Sequence, residues 1–176
     1  FDSRGPAPGT ATLTPAIPGN VRPDLILLDD ADLTTVRRLT LSGGRRGLNV
    51  INDSEDLFAD ELTIVGSGEF GIYTHASHDL VIEDISVSGA GSPEDESTGD
   101  GVRIDGLGGR NRLVTINNLT STGNARHGLS VQFGFEELLN INAAEFSGNG
   151  VNGLFVNGFN NGGVWNDLFV HDNPHG

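Results

Sequence analysis

The chain has 176 residues, enough for one domain with a sizeable core, and sets 24 acidic side chains against ten arginines and no lysine, for a formal charge of −14. No basic stripe exists to displace counterions from phosphate, so a nucleic-acid partner is excluded. The absence of cysteine rules out disulfides, thiolate metal sites and cysteine nucleophiles, and no apolar run approaches the roughly 18 residues of a membrane-spanning helix.

The chain opens on Phe1 with no initiator methionine, as a processed protein or a piece of a longer one would. Residues 1–24, with Pro6, Pro8, Pro15, Pro18 and Pro23 among Gly, Ala and Thr, read as a leader or N-terminal cover. Leu25–Leu28 and Leu33–Val36 read as an irregular first coil of the domain that occupies residues 25–176.

From Leu39 onward one phrase returns: apolar–x–apolar, a Gly turn, then Gly–apolar–x–apolar. It reads LTLSGGRRGLNV from Leu39, LTIVGSGEFGIYT from Leu62 and ISVSGAG from Ile85, with GVRI resuming at Gly101. It continues as LTSTGNARHGLSV from Leu119, AEFSGNGVNGLFV from Ala144 and LFVHDNPHG from Leu168. The glycine that opens the second strand stands at Gly47, Gly71, Gly101, Gly128, Gly153 and Gly176, at intervals of 24, 30, 27, 25 and 23 residues. A visible insertion, Ser92 to Gly99, accounts for the longest interval. A third segment precedes each phrase: LFADE, LVIED, VTINN, LNINA and GVWND, ending at Glu61, Asp84, Asn118, Ala143 and Asp167. Alternation with period 2 means strand, and no amphipathic helical stretch competes with it.

Three short strands in a coil near 25 residues resemble the right-handed parallel β-helix, familiar from pectate-lyase-like proteins, alginate-epimerase-type repeats and adhesins. The resemblance covers residues 36–176 and lies in repeat grammar, not in a catalytic signature. It implies an all-β, single-stranded solenoid of about seven coils, roughly 35 Å long at ~4.8 Å per strand. The recurring glycines are expected to supply positive φ at sharp corners, and the acids and Asn of the third segment to form a partial polar ladder. NPHG ends on the glycine that elsewhere opens a strand, so the C-terminal coil is expected to continue in a longer solenoid or to offer an edge for end-to-end assembly with other subunits.

Gly66-Ser-Gly-Glu-Phe-Gly71 matches the dinucleotide string, but a strand follows it rather than the helix that would hold pyrophosphate. The outward stripe of the Gly-led strands is more informative. It presents Asn49 and Ile51, Tyr73 and His75, Arg103 and Asp105, Ser130 and Gln132, then Phe155 and Asn157. Tyr73, Arg103, Gln132 and Phe155 are the expected ligand contacts, with the aromatic rings stacking on sugar. If this face were catalytic, as in the enzymes it resembles, Arg103, Asp105 and His75 would be the working groups. The paired acids of an inverting glycosidase are not evident, since Asp105 has no acidic neighbour one coil away.

Glu94, Asp95, Glu96 and Asp100 fall in one loop and are weak Ca²⁺ candidates, but EF-hand and RTX spacing are missing and a solvated loop is expected, as it is for Asp29, Asp30 and Asp32. No cofactor is otherwise expected. The histidines sit on different coils, which disfavours zinc. The reading that follows is a secreted, periplasmic or cell-surface module: structural or adhesin-like, acidic, non-catalytic, meeting protein subunits or surface polysaccharide. The alternative is a polysaccharide lyase or epimerase working on the outward stripe.

Overall fold

The computed structural model describes residues 11–15, 22–92, 94–107, 109 and 111–175, and at 133–136 and 159–161 the backbone alone. Its strands stack in parallel along two paths. One path holds β2 (Ile26–Asp29) and then the Gly-led strands: β4 (Arg46–Ile51), β6 (Phe70–His75), β8 (Val102–Asp105), β10 (Leu129–Glu137) and β12 (Leu154–Asn161). The other holds β1 (Ala11–Leu13), β3 (Thr35–Ser42), β5 (Glu55–Val65), β7 (His78–Ser88), β9 (Arg112–Thr122), β11 (Asn140–Ser147) and β13 (Trp165–His171). Each strand of the first path and the strand after it make one coil. There are six such coils among the described residues, not about seven, with β1 adding a single strand beside β3. The first coil is more regular than expected, because β2 pairs with β4 residue for residue.

The three segments per coil survive in bent form. The long strands turn at Arg38, Glu61, Asp84, Asn118, Ala143 and Asp167, whose φ angles lie between 51° and 56°. That left-handed region is costly for L-residues and cheapest for Asn and Asp, which explains the polar bias at this corner. The polar ladder is partial: Asn118 donates to Asp84, and the Arg38 guanidinium lies 3.4 Å from Glu61, while Ala143 interrupts the column.

The glycine that opens each strand has a different task from the one expected. Positive φ occurs earlier in the turn, at Gly43, Gly66, Gly89, Gly123 and Gly148. At Gly71 a Cβ would sit 2.2 Å from Val87 Cγ1 and 2.5 Å from the Gly101 carbonyl oxygen. These glycines are needed because the chain turns over the packed interior with no room for a side chain.

Interior columns follow the alternation. Leu48, Ile72, Val102 and Leu129 are fully buried, as are Leu41, Ile64 and Val87 on the facing strands. Two branched aliphatic walls close on each other, and stacking supplies what a single coil cannot bury. The turn is sealed by a second ladder, buried at Asn124 and Asn149. Asn149 donates to Asn173 Oδ1 through its backbone N–H (2.9 Å) and its side chain (3.1 Å), and accepts from Asn124 in the same way at 3.1 and 2.9 Å. In the outermost coil Val156 and Val170 are 40% and 41% exposed, where their neighbours Val131 and Phe146 are 1% and 0%.

Candidate functional site

Parallel register turns the outward residues of the Gly-led strands into columns. Asn49 stands beside Tyr73, Tyr73 beside Arg103, Arg103 beside Ser130, and Ser130 beside Phe155. The second column runs His75, Asp105, Gln132, Asn157. A third column, missed by alternation, precedes the glycines: Arg46 pairs with Phe70, and backbone bonds at Gly71, Gly101 and Gly128 continue it through Asp100, His127 and Asn152. Alternation misses it because the Cα of Gly47 faces inward, toward Ile64, as the buried Leu48 does, so that Arg46 and Asn49 face outward three apart. The Arg46 guanidinium donating to Asn49 Oδ1 at 3.1 Å demonstrates this.

The middle of the face is an interlocked charged and aromatic layer. Arg46 lies 4.1 Å over the Tyr73 ring and reaches Glu69 at 3.1 Å. Tyr73 stacks on Phe70 at 5.5 Å and on His75 at 6.4 Å, and Arg103 covers Phe70 at 5.1 Å. Such cation–π contacts hold a guanidinium flat against its platform. Arg103 also donates from Nε and Nη2 to Asp105 Oδ2, at 3.2 and 3.1 Å, and Asp105 Oδ1 accepts the Leu107 N–H at 3.0 Å. His75 Nδ1 lies 3.0 Å from the Asp105 carbonyl oxygen. Gln132 donates to Ser130 Oγ at 2.7 Å. Burial pushes the Tyr73 phenol above its usual range, with the Asp105 charge adding to it.

Two groups in the third column are buried without hydrogen-bond partners. Asp100 is fully buried, with Arg103 and Arg126 at 3.7 and 3.9 Å and the His127 N–H and Ser130 hydroxyl near but not bonded. Burial raises its carboxyl to about 6, although both arginines pull the other way. His127 stacks on Phe155 at 4.7 Å with the rings 8° from parallel, and burial, reinforced by the Arg126 and Arg103 charges, lowers its imidazole to about 4.

A family model described as the right-handed beta helix region matches residues 20–172. The chain belongs to the right-handed β-helix family. Comparison with curated proteins and with solved structures finds no match. The fold and its handedness in this β-helix are therefore those expected, while the family, which spans enzymes and adhesin-like proteins, leaves the activity to be argued from the face itself.

The four acids of the inserted loop do not converge in this β-helix. Asp95 turns back on its own loop, accepting from Ser97 N–H (2.9 Å), Ser97 Oγ (2.6 Å) and Thr98 Oγ1 (2.9 Å), which holds its carboxyl at about 2. Asp100 points into the face instead, while Glu94 and Glu96 are exposed. Among the described residues no group of three or more acids or histidines is gathered to hold a metal ion. The Gly66–Gly71 string opens β6, a strand. No helix among the described residues is long and apolar enough to cross a membrane.

Proposed function

We propose that this β-helix is a non-catalytic interaction module of an extracellular surface, adhesin-like in use, whose ligand face is the outward side of the Gly-led strands. One observation carries the reading: both acids at the centre of the face are already committed. Asp105 is held by Arg103 on one oxygen and by the Leu107 N–H on the other, and Asp100 has no exposed surface. A general acid or base has to reach the proton it moves, and glycoside hydrolysis asks for two carboxyl groups flanking one bond. Tyr73, His75, Asn152 and Phe155 remain partly exposed and Asn157 more so, which suits contact with a polysaccharide.

The test pairs binding with turnover. Polysaccharides are incubated with the protein while retention in affinity electrophoresis and release of reducing or unsaturated ends are both followed. Retention without bond cleavage, weakened in Tyr73→Ala, is the expected result. Cleavage lost in Asp105→Asn would replace this reading with the lyase or epimerase alternative.

A further inference from the structure

The bend of the long strands places two residues per coil outside the apolar core, and their chemistry changes along the solenoid. They read Arg37-Arg38 on β3, Asp60-Glu61 on β5, Glu83-Asp84 on β7, Asn117-Asn118 on β9, Asn142-Ala143 on β11 and Asn166-Asp167 on β13. Parallel register sets each beside its counterpart one coil away, so Arg37 stands beside Asp60, Asp60 beside Glu83 and Glu83 beside Asn117. Glu61 and Asp84, both at φ of 51°, meet in the same way at the corner.

Where the column is Asn, each amide donates to the next: Asn166 to Asn142 at 3.1 Å and Asn142 to Asn117 at 3.0 Å. An ionised carboxylate has no proton to donate, so Asp60 and Glu83 cannot continue this ladder. At the ~4.8 Å spacing of neighbouring strands they repel instead. Arg37 meets Asp60 at 2.8 Å and Arg38 meets Glu61 at 3.4 Å, both from the β3 side of β5. The acids of β7 have no such support. Glu83 makes no ion pair among the described residues, and Asp84 accepts from Asn118 alone. Two arginines therefore face four carboxylates over three coils. His78, which carries charge only when protonated, lies at the other end of β7, 3.2 Å from Glu55 and 3.0 Å from Asp79.

We propose that these carboxylate rungs make the solenoid an ionic-strength-sensitive fold: dissolved cations screen the β5–β7 rungs and tighten the stack, and dilution loosens it. Screening acts on this scale, since the Debye length falls from ~10 Å at 0.1 M salt to ~3 Å at 1 M, inside the strand spacing. The Arg37–Asp60 and Arg38–Glu61 pairs lose attraction on the same addition, but their arginine side chains are 45% and 30% exposed, and such pairs contribute little. A formal charge of −14 acts in the same direction over the whole surface, so two variants of equal charge separate the rungs from that background.

Urea unfolding of the whole chain is followed in KCl from roughly 0.05 to 1 M. The unfolding constant of the parent is expected to fall about tenfold over that range. Glu83→Asn with Asp84→Asn copies the Asn117-Asn118 pair onto β7. This variant should be more stable than the parent at low salt and change less than about threefold across the range. Glu94→Gln with Glu96→Gln removes the same two charges from the exposed inserted loop and should keep the response of the parent. A loop pair that flattens the response as much as the β7 pair would assign it to total charge and overturn the proposal. So would a parent whose stability is level or falls with KCl, or a β7 variant that responds to salt as the parent does.

Discussion

Asp100 and His127 occupy the same outward column on neighbouring coils, and all four of their side-chain polar atoms are buried without a hydrogen-bond partner. Their titrations move in opposite directions. Asp100 is raised from 3.8 to about 6, so its burial weakens the fold above pH 6 and that penalty fades as pH falls toward 4. His127 is lowered from 6.5 to about 4, so its contribution is intact above pH 6.5 and is lost as pH falls toward 4. Each effect is worth about 3 kcal/mol, and between pH 4 and 6 they offset each other.

Removing one partner should uncover the other. Asp100→Asn is expected to be more stable than the parent at pH 7 and to lose that advantage by pH 4, as the His127 penalty stands alone. His127→Gln should gain on the parent over the same acid range. Urea unfolding at pH 4.5, 6 and 7.5 measures both differences, and parallel pH curves for parent and variants would show that the two groups are not the titrating pair.

The Arg103–Asp105 pair makes a second prediction. The two side chains are 12% and 9% exposed, so removing Asp105 leaves Arg103 largely desolvated, with Asp100 at 3.7 Å and no hydrogen-bonded carboxylate. Asp105→Ala should cost about 3 kcal/mol in urea unfolding. At pH 4.5, where the Asp100 carboxyl beside Arg103 is largely protonated, the double change Arg103→Met, Asp105→Leu should recover most of that loss, because an apolar pair has no buried charge to compensate. A double variant as weak as the single one would mean that the Leu107 N–H contact, rather than charge pairing, sets the cost.

The strand columns were legible because period-2 alternation and parallel stacking together determine them: Tyr73, Arg103, Ser130 and Phe155 align as their places after the repeat glycine require. Arg46, Phe70, Asp100 and His127 were hidden because alternation breaks at a residue without a side chain. Their common place just before Gly47, Gly71, Gly101 and Gly128 was the available signal. In the sequence Asp100 belongs with the acidic insertion it closes, whereas its backbone belongs to the Gly corner, accepting the Gly71 N–H at 3.3 Å. The closure of Asp105 by Arg103 depends on side-chain direction within one rung, which sequence distance alone does not reveal.

The two kinds of glycine should separate in mutation. Gly66 has φ of 68° and open space where a Cβ would project, so Gly66→Ala should cost only the left-handed strain, about 1 kcal/mol. Gly71→Ala drives Cβ into Val87 and the Gly101 carbonyl, and the carbonyl belongs to the stacked backbone. That change should cost about 3 kcal/mol or prevent folding. Thermal melts of the two variants decide the matter, and equal losses would assign the repeat glycine a conformational rather than a steric role.

The two asparagine ladders should differ for the same reason of environment. Asn142 accepts from Asn166 at 3.1 Å and donates to Asn117 at 3.0 Å on a partly exposed face, where water can replace it. Asn142→Ala should cost less than about 1 kcal/mol. Asn149 is 1% exposed, and its loss strips the Asn124 backbone N–H and side-chain amide of a shared acceptor in a turn that is itself buried. It also removes the donor to the Ser121 carbonyl at 3.1 Å. Asn149→Ala should therefore cost about 3 kcal/mol, and hydrogen exchange should rise first at the Asn124 amide. Fast exchange at Asn124 in the parent protein would instead mean that this turn opens readily, and the buried ladder would then hold the coils no more firmly than the exposed one.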